Sequence, residues 1–353
     1  MSHSSPITRR TFSAILGGAA LAAPRIARAQ TRSLSVQISA IYRKSFDRYI
    51  VPKMKELHNV DVVLSTMLSA EALTRAMGQR ANPQISLFTL DEGPWEQGKR
   101  LGIWDKITTD TVPNLKGIPE RFRDHDGFGS GLYSYMTGFC YDEEALKAAG
   151  VPAPSSFFDM WAPGFKNRIA MPQFTNTFAY ITLENTSRLL GEDPAKSFDK
   201  GFAKLKELRP NIRTFIGPLG QLIQLFQQKE IWLSFAPQLS ALQAAGAGLP
   251  VKWAAPKEGA VAFAHYIAVP KGAPNREDAL KIADLMLSPG YQKALAEIDF
   301  MVPVSTQIQF DPAFAKSFPV TPEIIANART ASWTEYNEQR VQLNERWQRE
   351  IQS

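Results

Sequence analysis

The sequence predicts an α/β chain built as two lobes, and three observations predict it. Short apolar runs alternate with amphipathic stretches along the whole length, the mark of strands interleaved with helices. Residues 30–353 are more than one hydrophobic core usually organises, so the chain is expected to divide. Two β-like segments, Tyr133 to Tyr141 and Val261 to Pro270, enclose a complete second α/β unit, as strands crossing between lobes would.

In order, Leu34, Val36, Ile38 and Ala40 alternate as a first strand, and Phe46 to Leu57 reads as a helix in spite of Pro52. Val60 to Leu64 is the next strand, and Ser69 is placed to cap a helix running to Gln79. Ile85 to Leu90 is a strand that should leave the sheet in a loop at Asp91-Glu92-Gly93-Pro94. The glycine-rich piece Gly127 to Gly131 lacks the helix start of a phosphate cradle and reads as a turn before the first crossing strand. The enclosed unit holds a strand at Arg168 to Met171 and helices Thr177 to Leu190, Pro194 to Leu208 and Leu219 to Gln228, followed by a strand at Ile231 to Phe235. Gly246 to Pro250 is a turn. Beyond Pro270, Asn275 should cap a helix from Arg276 to Leu287, which Pro289-Gly290 interrupts before Tyr291 to Ile298. The tail carries helical signals only, at Thr321-Pro322-Glu323 and Trp333 to Ile351.

The first 29 residues read as a twin-arginine export signal. Thr8-Arg9-Arg10-Thr11-Phe12 precedes an apolar run from Ser13 to Ala23 and a small-x-small site, Ala27-Arg28-Ala29, before Gln30. The run is too short to span a bilayer, which needs about 20 apolar residues, and no lipobox cysteine precedes the processed start. Of the 40 basic residues four arginines leave with this segment, so 36 face 34 acidic ones. That near balance argues against a nucleic-acid or membrane-surface partner. Cys140 is the only cysteine, which excludes an intramolecular disulfide and a cysteine-based zinc cluster.

No sequence signature of catalysis is present: no G-x-S-x-G, no H-E-x-x-H, no P-loop and no G-x-G-x-x-G after a strand. A secreted hydrolase would need a nucleophile, base and orienter, and no such set stands out. His58, His125 and His265 lack metal-ligand spacing, so neither metal nor cofactor is expected. His265 shares a strand face with Val261, Phe263, Ile267 and Val269. Such a histidine is either a satisfied core residue or a ligand contact, and periodicity alone favours the core. Asp91 and Glu92 suit a cation and Arg43 suits an anion, so their charges do not fix a ligand's sign. Tyr42, Trp95, Tyr135, Phe174, Phe235, Phe263 and Tyr266 cluster near strand ends, where aromatic rings stack on ligands or fill cores.

Several segments resemble a known family in the order in which they occur. They are Leu87-Phe88-Thr89-Leu90-Asp91-Glu92-Gly93-Pro94, Gly102-Ile103-Trp104-Asp105-Lys106-Ile107, Gly138-Phe139-Cys140-Tyr141-Asp142, and Phe157-Phe158-Asp159-Met160-Trp161 with Phe165-Lys166-Asn167-Arg168-Ile169. Gln227-Gln228-Lys229-Glu230-Ile231-Trp232, Ala255-Pro256-Lys257-Glu258-Gly259 and Ile267-Ala268-Val269-Pro270-Lys271-Gly272 continue the series. The chain resembles the extracellular solute-binding proteins related to the spermidine/putrescine, ferric-iron, thiamine and phosphonate receptors of ABC importers.

The resemblance implies a type II periplasmic-binding fold, two α/β lobes joined by crossing strands with a ligand cleft between them. It places residues 30–138 and 264–303 in the first lobe and 139–263 and 304–353 in the second. It implies a monomeric periplasmic receptor that binds a small molecule and passes it to an inner-membrane ABC permease, with no chemistry of its own. Where the polyamine receptor has carboxylates after the first strand of its second lobe, this chain has Gln173-Phe174-Thr175-Asn176-Thr177, and the acid on the second crossing strand aligns with His265. Phe235 and Phe263 fall where the family stacks its ligand, and the paired tyrosines of the ferric relatives are missing. An anionic or zwitterionic organic solute is therefore expected, held by Tyr42, Arg43, Asp91, Tyr135, Phe174, Thr175, Asn176, Thr177, Phe235, Phe263 and His265. A polyamine receptor of the same family, and a sensing subunit for a membrane receptor, are the competing readings.

Overall fold

Strand β1 (Arg32–Ile38) buries Leu34, Val36 and Ile38 completely, as its alternation predicts. It lies between two parallel neighbours, β2 (Val60–Thr66) and β3 (Leu87–Asp91). The computed structural model describes Met1 and residues 32–353, of which 32–353 form one compact unit; the export signal lies outside the described residues. A single mixed sheet runs through this unit, in the order β2, β1, β3, then Val261–Ala268 (β9), Ser130–Asp142 (β4), Leu233–Pro237 (β7), Ile169–Pro172 (β5) and Ile212–Ile216 (β6). Its central pair is β4 (Ser130–Asp142) and β9 (Val261–Ala268), antiparallel to each other. On one side β9 pairs with β3. On the other, the far end of β4 pairs with β7 (Leu233–Pro237), beyond which lie β5 (Ile169–Pro172) and β6 (Ile212–Ile216). The two crossing strands therefore join a first half of the sheet, β2-β1-β3, to a second half, β7-β5-β6. Both are buried along nearly their full length, as strands covered on both sides are.

The predicted helix over Pro52 exists, in two pieces. A π-helical turn, Phe46–Ile50, precedes an α-helix at Val51–His58, so the proline stands where the helix changes its hydrogen-bond pattern, and the wider turn before it accommodates a residue with no N–H to donate. The strand ending at Asp91 does not open into a loop. A helix, Glu92–Arg100, starts at the next residue, because Gly93 and Pro94 fall in a first turn whose N–H groups have no intrahelical acceptor. Ser69 is not the cap of its helix. Leu68 holds that position, while the Ser69 hydroxyl accepts the backbone N–H of Asp91 at 3.0 Å. Asn275 does stand at the N-cap of Arg276–Leu287, but in a left-handed conformation, and its side-chain amide donates to Ser33 O instead of the helix.

The turn before β4 is as expected, with Gly127 at φ +81°. Gly129 is needed for close approach, since a Cβ there would lie 2.5 Å from Trp95 Nε1. Elements of the enclosed unit additional to those expected include the helix Glu143–Ala148, β6, the helix Gln238–Gly246, and β8 (Val251–Ala254), which pairs with β4. The helix expected from Pro194 begins only at Asp199. The tail is not wholly helical: a short strand, Arg329–Thr330, adds a parallel partner to β9. After it, the helix Trp333–Trp347 closes the chain with a π-helical turn. Among the described residues no helix is long and apolar enough to cross a membrane.

Candidate functional site

The C-terminal end of β3 and the two crossing strands bring distant residues into register. Asp91 lies opposite His265, and His265 lies opposite Tyr133. Two residues further on, Tyr135 faces Phe263. Because side chains alternate along a strand, Thr89, Asp91, His265, Phe263, Tyr133 and Tyr135 share one face at the centre of the sheet.

The polar groups on that face are nearly all committed to one another. Asp91 Oδ1 lies 2.8 Å from His265 Nδ1, and its other oxygen accepts the Thr177 hydroxyl at 3.3 Å. The Asp91 backbone is fixed by Ser69, as described above. The imidazole stacks on the Tyr133 ring, centroids 4.9 Å apart and 11° from parallel, and Tyr42 stands edge-on to both rings. Tyr42 and Thr89 share a hydrogen bond of 2.7 Å, and the Tyr133 and Tyr135 hydroxyls lie 3.1 Å apart. Tyr135, Phe178 and Phe263 pack together beside them.

Burial sets the chemistry of this cluster. It pushes the phenols of Tyr42, Tyr133 and Tyr135 well above their ordinary value, and the nearby Asp91 charge adds to the effect, so all three remain neutral hydroxyls at any physiological pH. His265 is 1 % exposed, and its Nε2 is buried without a hydrogen-bond partner. A carboxylate can only accept, so Nδ1 carries the proton it shares with Asp91. Nε2 is then an acceptor on the neutral ring and a donor on the protonated one. A buried imidazole nitrogen without a partner costs about 1–3 kcal/mol, which a bound polar group would recover.

Residues 50–320 match the family described as bacterial extracellular solute-binding protein. The chain belongs to this family. Binding proteins of this family take small-molecule ligands and deliver them to ABC permeases. The chain is similar to the spermidine/putrescine-binding periplasmic protein of Salmonella typhimurium, 22 % identical over 283 residues, 78 % of this chain and 81 % of the relative. It is 25 % identical over 274 residues to the gamma-aminobutyric acid-binding protein of Pseudomonas aeruginosa, covering 69 % of this chain and 75 % of that one. The fold matches the crystal structure of an ABC transporter protein from Clostridium perfringens with a TM-score of 0.76 and 24 % identity, covering 90 % of this chain and 99 % of that one. The two-lobed α/β architecture with crossing strands is thus that of an extracellular solute-binding protein.

Within this family member, six of the eleven expected ligand residues converge: Tyr42, Asp91, Tyr135, Thr177, Phe263 and His265. Asn176 and Thr175 lie at the start of the helix Thr177–Leu189, where the Asn176 side chain accepts the Phe178 N–H at 3.1 Å and so performs the capping; Thr175 is exposed. The other three sit elsewhere. Arg43 is exposed and pairs with Asp47 at 3.0 Å. Phe174 packs on Trp347 and Tyr336. Phe235, on β7, is fully buried between Phe139 and Phe157. Tyr133 and Thr89 belong to the cluster and were detectable in the sequence by the two-residue period from Tyr135 and Asp91. Phe178 and the tail residue Trp333, whose ring lies 5.4 Å from Phe263, had no such signal.

Glu92, next to Asp91, has a different environment. Its carboxylate accepts the Ala264 N–H at 3.1 Å, and burial pushes its pKa up to about 7. It lines a cavity of about 50 Å³ with Met136, Ala262 and Ala264, room for one or two waters at about 30 Å³ each. A larger cavity, about 270 Å³, lies among Thr108, Glu120, Arg123 and His125 and shares no residue with the Asp91–His265 cluster. Among the described residues no group of His, Cys, Asp and Glu is arranged to hold a metal ion.

Proposed function

We propose that this chain is the periplasmic substrate-binding component of an ABC importer, and that its ligand is a small zwitterionic or anionic organic solute held over the crossing strands. The observation that carries the reading is the buried His265 Nε2 without a partner, on an imidazole braced by Asp91 and walled by neutral tyrosines. A ligand carboxylate would pair with Nε2–H of the protonated ring and lie near the N-terminus of the helix Thr177–Leu189, whose dipole favours negative charge. An ammonium would find the Asp91 carboxylate and the faces of Tyr42, Tyr135 and Phe263. Gamma-aminobutyric acid, which one relative is named for, has both groups.

The lobes are proposed as 30–138 with 264–303 and 139–263 with 304–353, and the site as Tyr42, Asp91, Tyr133, Tyr135, Thr177, Phe263 and His265. Export by the twin-arginine route and a monomeric, non-enzymatic receptor complete the reading. A polyamine is the second reading, favoured by the similarity to the spermidine/putrescine-binding relative. Against it, Asp91 is the only carboxylate in the cluster and is already paired with His265, whereas two or more ammonium groups in a dry cleft need a carboxylate each.

Thermal shift followed by calorimetry tests the reading, with gamma-aminobutyrate, other amino acids, organic acids, phosphonates, putrescine and spermidine as probes. A ligand specific for the folded state raises the melting temperature by mass action. A zwitterion or anion whose binding weakens in His265→Ala supports the assignment. Tight binding of spermidine, or binding indifferent to His265→Ala, would sink it.

A further inference from the structure

Asp91 leaves the His265 ring a single free valence. One oxygen of the carboxylate stands 2.8 Å from Nδ1 and the other accepts the Thr177 hydroxyl at 3.3 Å, so both oxygens serve as acceptors and Nδ1 is kept a donor. Stacking on Tyr133 and the edge of Tyr42 hold the plane of the imidazole. Nε2 is buried and has no partner.

A carboxylate that approaches Nε2 meets one of two surfaces. On a ring carrying only the Nδ1 proton, Nε2 presents a lone pair, which repels another acceptor. Only the doubly protonated ring offers an N–H to each of two carboxylates. The surroundings work in the same direction. Tyr42, Tyr133 and Tyr135 are buried and stay neutral, so Asp91 is the charged group that touches the ring. Beyond this layer Glu92 lies on the Ala264 side of β9, Asp299 stands behind Tyr42, and Arg340 of the C-terminal helix lies beside Tyr336, which feels the Asp91 charge. Two carboxylates flanking a neutral imidazole in so dry a place would repel each other with no cation between them.

We infer that a carboxylate entering this site is bound together with one proton, taken up from solvent on His265 Nε2, so that protein, anion and proton combine in a single complex. An ammonium or hydroxyl group donating to Nε2 requires the neutral ring, and its binding takes up no proton or expels one. The sign of the proton linkage therefore reports which end of a zwitterion lies over His265, and the ring becomes a determinant of specificity as well as a contact. This linkage rests on the proposed solute-binding role of the cleft and adds a requirement that the role alone does not carry.

Calorimetric titration with gamma-aminobutyrate, and with butyrate as a probe lacking the ammonium, tests it between about pH 5.5 and 9 in buffers of different ionisation enthalpy. Over that range the probes keep their charges, since an alkyl ammonium titrates at about 10.4 and a carboxyl at about 4.3. Affinity should fall about tenfold per pH unit towards the alkaline end, with uptake approaching one proton per ligand there. The slope should vanish in His265→Gln, whose amide N–H does not titrate, and persist in Glu92→Gln, which removes a second carboxyl that titrates within the window, at about 7. If His265→Gln binds too weakly to follow, the imidazole ¹⁵N shifts of the saturated parent decide: one histidine should have both ring nitrogens protonated at an alkaline pH where the free protein shows one. Affinity flat with pH and enthalpy indifferent to buffer, proton release, a slope that survives in His265→Gln, or no binding of either probe at any pH overturns the linkage. Flat binding that is still weakened in His265→Ala would do so while leaving the cleft reading intact, whereas binding indifferent to His265→Ala would remove that reading itself.

Discussion

Phe235 and Phe263 are buried to the same degree, 0 % and 1 % exposed, and both stand on strands beside β4, yet their surroundings differ. Phe235 lies among rings without polar tips, Phe139 and Phe157. Phe263 lies against Tyr135 and Phe178, beside the tyrosine hydroxyls, His265 and Asp91. Burial alone therefore does not separate a residue that only packs from one proposed to bind. What differs is the polar company: Phe263 shares its face with tyrosine hydroxyls, the Asp91 carboxylate and the unpartnered His265 Nε2, whereas Phe235 packs between two phenylalanine rings.

The largest effect that would break this comparison is on stability. Phe235→Ala should cost about 3–5 kcal/mol in denaturant unfolding, as buried phenylalanines do, while ligand affinity measured under folding conditions changes little; Phe263→Ala should weaken binding. Equal losses of affinity in the two variants would erase the distinction.

Next in size is a pH effect confined to the polar region. Glu92 holds its proton up to about pH 7 in the folded chain against an ordinary value of 4.5, so the folded state binds the proton more tightly than the unfolded one. Stability should then fall as pH rises from about 4.5 to 7 and level off above, a loss on the order of 3 kcal/mol. Glu92→Gln should flatten melting temperature against pH over that window and raise it at pH 8; an unchanged slope would mean that this carboxyl does not govern it. His265→Phe keeps the stacking on Tyr133 and removes both nitrogens, and should lower affinity roughly ten- to a hundredfold by calorimetry. The smallest effect is at Arg43. It adjoins Tyr42 in sequence but pairs with Asp47 at the surface, and Arg43→Ala should shift stability and binding by less than about 0.5 kcal/mol.

The sequence made the crossing strands and the first strand of each half legible, because alternation or a long apolar run survives whatever lies next to it. It also assigned His265 to the correct strand face. It could not assign neighbours: that Asp91, His265 and Tyr133 stand in one row depends on the register of three strands far apart in the chain, which no local pattern encodes. The same gap explains Phe235. Its position on a strand end near the expected cleft was readable, but the presence of Phe157 against its ring was not. The helix at Glu92 was hidden because Gly93 and Pro94 resemble a loop unless the start of a helix is known to fall one residue earlier. The role of Trp333 and Tyr336 depends on where the tail returns to the body.

Strand β4 is 13 residues long, and its backbone is hydrogen-bonded to β9 along one stretch and to β7 and β8 along the next. Any rotation of one half against the other must pass through it and through β9. Spread over so many residues, the rotation needs only a few degrees of torsion at each peptide, and no rung of the ladder has to break. The strand acts as a torsion bar and not as a joint: its amides should resist exchange with solvent equally with the cleft open or shut, and motion about it belongs to the microsecond-to-millisecond range of domain hinges, not to the slower range of local unfolding.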